Sequence, residues 1–259
     1  MKKHMKPFAV LCAAAITLAS CSKEVNETEQ VSDEAIAKIS ALGFNTSNVQ
    51  KVDEGYLVEG DIIIPANRLD ENPEQMKLRI AEVEQYRTTN TVKGLPRVIT
   101  VSTTDISGAL SSAVDAALAR YNAENLQITF QRVTSGGDIN IKLVKTRQYI
   151  ASAGFPTNQG DPYHEVKYSA GYANYSAGFM TTVVAHELGH CIGFRHTDYM
   201  NRAYSCGSGG NEGASTVGAV HIPGTPTGPD AASWMLACLS SSTNRPFNAN
   251  DKVALGYIY

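Results

Sequence analysis

The chain has 259 residues, with 22 lysines and arginines against 25 acids and a formal charge of −3. That length suits one catalytic-sized domain plus a small extra element. With balanced charge and no basic cluster, nucleic-acid binding has no support, and no nucleic-acid partner is expected.

The first twenty residues read as a leader. Lys2, Lys3 and Lys6 are basic, and residues 8–18 form an apolar run too short to span a bilayer as a helix. Leu18-Ala19-Ser20-Cys21 follows and resembles a bacterial lipobox. The resemblance implies removal of residues 1–20, lipidation of Cys21, and a lipid-anchored protein of the bacterial cell envelope, at the outer membrane, on its periplasmic or surface face. An ordinary signal peptide would use the same small residues, but the cysteine directly after them favours lipidation. Loss of the leader leaves 19 basic and 25 acidic residues, a balance of about −6.

Residues 21–33 are polar and acidic and read as a tether. A short helix is predicted over 33–42, capped by Asp33 and ended by Gly43. Strands follow over 49–52 and 56–64, around the turn Asp53-Glu54-Gly55, and then a helix over 71–86. Polar residues 88–94 mark a boundary. Residues 34–95 thus form a small α/β N-terminal region, which is either an inhibitory pro-region or a docking element. No cysteine lies between Cys21 and Cys191, so this region cannot cover a metal with a thiolate.

Residues 96–259 carry the main domain. A strand is predicted over 97–102. A helix over 105–122 follows, with Asp105 as cap and Ile106, Leu110, Val114 and Leu118 inward. Strands over 126–133 and 139–144 come next. Residues 149–176 are rich in Gly, Tyr and Asn, and read as a loop with an edge strand over 165–172. Asp161 and His164 are spaced as ligands of an additional structural Ca2+ or Zn2+, but a lone Asp-x-x-His is a weak signal, better explained by an exposed polar loop.

The sharpest signal is His186-Glu187-Leu188-Gly189-His190-Cys191-Ile192-Gly193-Phe194-Arg195-His196, that is H-E-x-x-H-x-x-G-x-x-H, on a helix over 177–191. Histidines four apart share one helix face, so His186 and His190 can reach one Zn2+ ion. Glu187 sits beside the metal without binding it, where it can take a proton from the attacking water. Gly193 can adopt positive φ, end the helix and turn the chain back, so that His196 arrives as third ligand. Three protein ligands with a fourth position open are the mark of a catalytic rather than a structural zinc site. A helix with incidental histidines does not explain five matching positions.

The motif resembles that of the metzincin zinc endopeptidases, and HELGHCIGFRHTD, residues 186–198, is similar to the bacterial dual-action HEIGH metallo-peptidase family within that clan. The resemblance implies an α+β fold: a twisted mixed sheet with two long helices above, and a lower subdomain built on a Met-turn, for which Ser233-Trp234-Met235 supplies Met235. It implies peptide or protein substrates, held as an extended strand on a sheet edge. Some metzincins have a tyrosine two residues past that methionine; here the position is Ala237, so three protein ligands and no tyrosine are expected, unless Tyr199 or Tyr204 substitutes.

Residues 197–233 form a long Gly-, Ser- and Pro-rich loop, in which His221 reads as a solvated side chain. Asp198 is a candidate acceptor for His196, or for a backbone amide. A final helix over 250–259 offers Val253, Leu255 and Tyr257 for packing. Cys191, Cys206 and Cys238 allow one bridge with three pairings. Cys206–Cys238 would pin the long loop to residues near Met235, while Cys191 suits the apolar face of its helix.

The expected activity is zinc-dependent endopeptidase hydrolysis, with Glu187 as general base and then acid. Two readings compete: a surface lipoprotein that binds a partner around a structural zinc, and a zinc hydrolase of a non-peptide substrate. The sequence says nothing of oligomeric state.

Overall fold

The computed structural model describes residues 30–69, 85–211, 219–226 and 228–259. The leader, Cys21 and most of the predicted 71–86 helix lie outside the described residues. No described helix is long and apolar enough to cross a membrane.

Helix α1 (Asp33–Ala41) buries Ala35 and Ile39. Its cap is Ser32, whose Oγ accepts from the Ala35 amide at 3.2 Å, and Asp33 instead lies in the first turn, beside the positive end of the helix dipole. Gly43, at φ 87°, takes the chain out of the helix. Strands β1 (Gln50–Val52), β2 (Gly55–Val58) and β3 (Ile62–Pro65) form a small antiparallel sheet in that order. The predicted 56–64 strand is therefore two strands. Glu59 (φ 54°) and Gly60 (φ 92°) turn the chain between them, a conformation closed to an extended strand. Val58 and Ile62 are both fully buried, so the apolar pattern runs up to the turn from each side and hides it.

After the undescribed segment, β4 (Tyr86–Arg87) stands where the predicted helix would have ended. Long-range pairing overrides local propensity here, since the Tyr86 carbonyl accepts from the Arg195 amide at 2.8 Å.

The main sheet has five strands: β5 (Arg97–Thr104), β6 (Ile128–Arg132), β7 (Ile139–Val144), β8 (Ala151–Ser152) and β9 (Glu165–Ser169). Their order is β6-β5-β7-β9-β8, parallel throughout except for β8, which runs antiparallel to β9. The predicted edge strand over 165–172 is thus internal, and the short β8 is the edge. Helix α2 (Gly108–Asn122) starts three residues late because Asp105 and Gly108 both hold positive φ; Ser107 precedes it, and Asp105 is no cap. It packs against α3 (Ala177–Cys191), capped by Ser176, whose Oγ accepts from the Phe179 amide at 3.3 Å.

The long loop contains a short helix α4 (Ala203–Cys206) and β10 (Val220–His221), which pairs with β4. Helix α5 (Ala249–Ile258) opens with a reciprocal cap between Asn248 and Asp251. It buries Asp251, Ala254 and Leu255. Val253 and Tyr257 are four apart on its outer face, 43% and 56% exposed, so of the three predicted packing residues only Leu255 is inside.

One apolar core joins the sheet to α2, α3 and α5 and takes in Leu57 and Ile63 from the N-terminal sheet. A second cluster, Ile39, Leu42, Phe44, Val58, Ile62, Ile64 and Phe155, binds α1 and β3 to the loop after β8. The N-terminal region is thus packed onto the main domain.

Candidate metal centre

Helix α3 carries His186 and His190 on one face, both buried. Gly193 (φ 107°) then reverses the chain, and a Cβ there would come within 2.8 Å of the Asn90 carbonyl, so both the turn and the close approach need glycine. His196 returns with its ring centroid 5.3 Å from that of His186 and 4.9 Å from that of His190.

The imidazoles are oriented by backbone carbonyls. His186 Nδ1 lies 2.8 Å from the Trp234 carbonyl, and His190 Nδ1 lies 2.8 Å from the Phe194 carbonyl. Carbonyls only accept, so each Nδ1 carries the proton and each Nε2 presents a lone pair. These two Nε2 atoms face each other at 3.1 Å. Burial, aided by the neighbouring His186 and His196, drives the His190 pKa well below its usual value, toward the neutral form that ligates metal. Two lone pairs at that distance call for a cation between them.

A fourth donor comes from the turn between β2 and β3. Asp61 Oδ2 lies 3.2 Å from His196 Nε2 and 3.6 Å from His186 Nε2. Ligand atoms of Asp61, His186, His190 and His196 all lie within 4.8 Å of one another. Burial raises the Asp61 pKa, but the facing His196, with His186 and His190 beside it, outweighs it and holds the carboxyl well below its usual range. Its Oδ1 is buried with no hydrogen-bond partner among the described residues. Three imidazoles and a carboxylate form a donor set that fits a divalent metal.

The expected open fourth position is therefore filled by a residue of the chain itself, and sequence reasoning missed it. The available signal was the polar triplet Glu59-Gly60-Asp61 inside an otherwise apolar run.

Glu187 is buried beside the cluster. Burial, with the Asp61 charge nearby, raises its pKa well above the usual value, and its Oε2 has no hydrogen-bond partner among the described residues. The segment bearing Asp61 also lies on the sheet edge. The Ile63 amide donates to the Ala153 carbonyl at 2.6 Å, and the Ala153 amide to the Asp61 carbonyl at 2.9 Å. Two residues before Asp61, Glu59 accepts from Arg195 Nη2 at 2.9 and 2.7 Å.

The remaining predicted residues take definite places. Met235 lies against Gly189 of α3, and its carbonyl accepts from the Thr197 amide at 2.9 Å. Asp198 takes the second of its two predicted options: its carboxylate accepts from the Ala237 amide at 3.0 Å and from Ser205 Oγ at 2.5 Å rather than orienting His196. Cys206 and Cys238 are joined by a disulfide, and Cys191 is a buried free thiol. Tyr199 packs on the Tyr86 ring at 4.2 Å, and Tyr204 is exposed. Asp161 pairs with Arg97 at 2.9 Å, and neither it nor His164 belongs to a metal-binding group among the described residues. His221 pairs through its backbone with Tyr86.

A mixed α+β fold with a buried cluster of three histidines and one aspartate, and a further carboxylate beside it, has the composition of a metallopeptidase site. The family model described as "Dual-action HEIGH metallo-peptidase" matches residues 56–259, and the chain belongs to that family. Its substrates are accordingly peptides or proteins. Among solved structures, two of myroilysin are similar, each at 18% identity. One has a TM-score of 0.43, covering 65% of this chain and 82% of the other; the second has a TM-score of 0.41, covering 74% and 95%. No curated protein matches.

Proposed function

We propose that the protein is a zinc-dependent endopeptidase of the metzincin type, with His186, His190 and His196 as metal ligands and Glu187 as proton carrier. The observation that carries this reading is the pair of Nε2 lone pairs, 3.1 Å apart on α3, next to a buried carboxylate that binds none of its neighbours through Oε2. A structural zinc needs neither an adjacent carboxylate nor a displaceable ligand, which weighs against the partner-binding alternative. Zinc at this site would supply a Lewis acid to polarise the scissile carbonyl and acidify water.

The residues of the chain do the rest. Glu187, its affinity for a proton raised by burial, takes a proton from the attacking water and delivers it to the leaving amine. The Trp234 and Phe194 carbonyls fix the two helix imidazoles. Met235 acts as the Met-turn residue, packing without ligating.

The N-terminal region acts as an inhibitory segment. Asp61 stands where a substrate carbonyl or water must bind, and residues 61–63 cover the edge strand on which a peptide would pair. The full chain is then latent until Asp61 is withdrawn. Residues 1–20 act as a lipoprotein signal peptide, and 21–33 tether the folded part to lipid at Cys21 in the bacterial envelope. Residues 34–95 inhibit and 96–259 catalyse.

The test uses zinc-loaded full chain and its Asp61→Ala variant with a quenched peptide library, with and without chelator. Chelator-sensitive cleavage that rises about tenfold or more on Asp61→Ala is expected. Equal cleavage by both removes Asp61 from the latency, and no cleavage by either, with zinc bound and with the chain also nicked after residue 95, removes the peptidase.

A further inference from the structure

The third ligand, His196, lies beyond the end of α3, so helical spacing alone does not place it. It is reached through Gly193, Phe194 and Arg195. A segment this short holds a ligand still only when its own backbone groups are bonded.

Residues 85–92 supply those bonds. The Thr88 amide donates to the Gly193 carbonyl and the Arg195 amide to the Tyr86 carbonyl, both at 2.8 Å, and Arg87 faces Phe194 in an antiparallel bridge between them. The Phe194 carbonyl, fixed between these two bonds, is the group that orients His190 Nδ1. His196 follows two residues later. Thr88 is buried, and its Oγ1 donates to the Asn90 carbonyl at 2.5 Å. That carbonyl is the atom a Cβ on Gly193 would meet, so the strap closes directly over the glycine turn.

The same residues are tied to the main domain on their other side. Tyr86 and Arg87 pair with His221 and Val220 of β10. Gln85 Nε2 donates to Asp251 Oδ1 of α5 at 2.6 Å, and the Val92 amide donates to Tyr259 Oη at 3.1 Å. The Tyr259 hydroxyl in turn donates to the Ile192 carbonyl, at the end of α3.

We infer that residues 85–92 are a positioning strap for two metal ligands, His190 and His196, and that they stay with the catalytic part of the chain when Asp61 is withdrawn. The inference rests on the zinc-peptidase reading above and moves its division at residue 95 upstream: the part that must leave ends before Gln85. The covering segment and the ligand support are then contiguous in sequence and separate in role.

The experiment measures zinc affinity, by competition with a chromophoric chelator, in the full chain carrying Asp61→Ala. Thr88→Pro removes the amide that holds Gly193, and zinc should bind about tenfold or more weakly. Thr88→Val removes the hydroxyl but keeps the amide, and should stay within about threefold of the parent. The loss from Thr88→Pro should persist in His186→Ala, whose missing ligand is the one Trp234 orients, and shrink to about threefold or less in His196→Ala. A loss of equal size in both backgrounds, or no loss in a folded Thr88→Pro chain, overturns the inference. A chain cut at an introduced protease site directly before Gln85 should keep the parent affinity; a fall to the Thr88→Pro level would place the support upstream of the strap.

If Thr88→Pro does not fold, hydrogen exchange in the unaltered chain decides. Saturating zinc should slow the Thr88 and Arg195 amides by about tenfold or more beyond any change at Val133, whose amide bonds the Val101 carbonyl at the β6 edge of the main sheet. Equal changes at all three overturn the inference. None of these readouts uses peptide cleavage, so the strap and the peptidase can fail separately.

Discussion

Met235 Sδ occupies the space a side chain at position 189 would need: a Cβ on Gly189 would lie 2.6 Å from that sulfur and 3.1 Å from Trp234 Nε1. Gly189 lies between the two helix ligands, and Trp234 provides the carbonyl that orients His186. The absence of a side chain at 189 thus lets the 234–235 turn rise against the helix and hold the imidazole. Gly189→Ala is expected to push this turn away, at a cost of about 1–3 kcal/mol for overpacking. It should also weaken zinc binding by about tenfold or more through the disturbed His186 contact. Denaturant titration and competition with a chromophoric chelator measure the two effects. Stability lost with zinc affinity intact would show that the turn does not position His186.

Glu187→Ala, made in the Asp61→Ala background, should bind zinc as before and lose about 10²- to 10⁴-fold in kcat, the usual contribution of a positioned proton carrier. Equilibrium dialysis gives the metal content, and cleavage of a single peptide gives the rate. Full activity in that variant would take Glu187 out of the reaction.

Local chemistry made the ligand string legible. Positions 186, 190 and 196 need only a helical period and a glycine turn to converge, and both are written into eleven consecutive residues. The boundaries of α3 and β7 follow from the same short-range rules. Asp61 was not legible, because its approach to His196 spans 135 residues and depends on a turn at Glu59 and Gly60 within a buried hairpin. Alternation, the signal that separates strands, vanishes where both flanks are buried. The true sheet edge was hidden for a similar reason: β8 has only two residues, Ala151 and Ser152, too few to show a period. Tyr86 shows the converse case, a residue at the end of a helical pattern drawn into a strand by pairing with residues more than a hundred positions away.

The Cys206–Cys238 bridge closes a separation of 32 residues and ties α4 to the residues after Met235. Ser205 reinforces the tie, its Oγ donating to Asp198 and accepting from the Cys238 amide at 3.0 Å. Loop-closure entropy puts the contribution at about 3–4 kcal/mol. The Cys206→Ser, Cys238→Ser double variant should unfold at correspondingly lower denaturant concentration, and reductant should shift the parent protein to the same midpoint and leave the variant unmoved. A midpoint indifferent to reductant in the parent would mean that the bridge adds nothing to stability.

Asp251 gives a prediction in pH. It is fully buried, and its carboxylate accepts from Gln85 Nε2 at 2.6 Å, from the Trp234 amide at 3.2 Å and from the Asn248 amide at 3.0 Å. Burial outweighs these donors and pushes its pKa up to about 6, against an ordinary 3.8. The folded chain therefore holds this proton where the unfolded chain has released it. The stabilisation is complete below about 3.8, falls as pH rises through 6, and amounts to about 3 kcal/mol between the limits. Trp234, the one tryptophan of the sequence, donates its backbone amide to this carboxylate and so reports on it. In zinc-loaded protein, Trp234 fluorescence should follow a step with its midpoint near pH 6. Asp251→Asn should abolish that step and flatten the decline in stability between about pH 4 and 6. A step near pH 4, or one that persists in Asp251→Asn, would mean that the carboxylate is ionised throughout and that its three donors, not its burial, set its state.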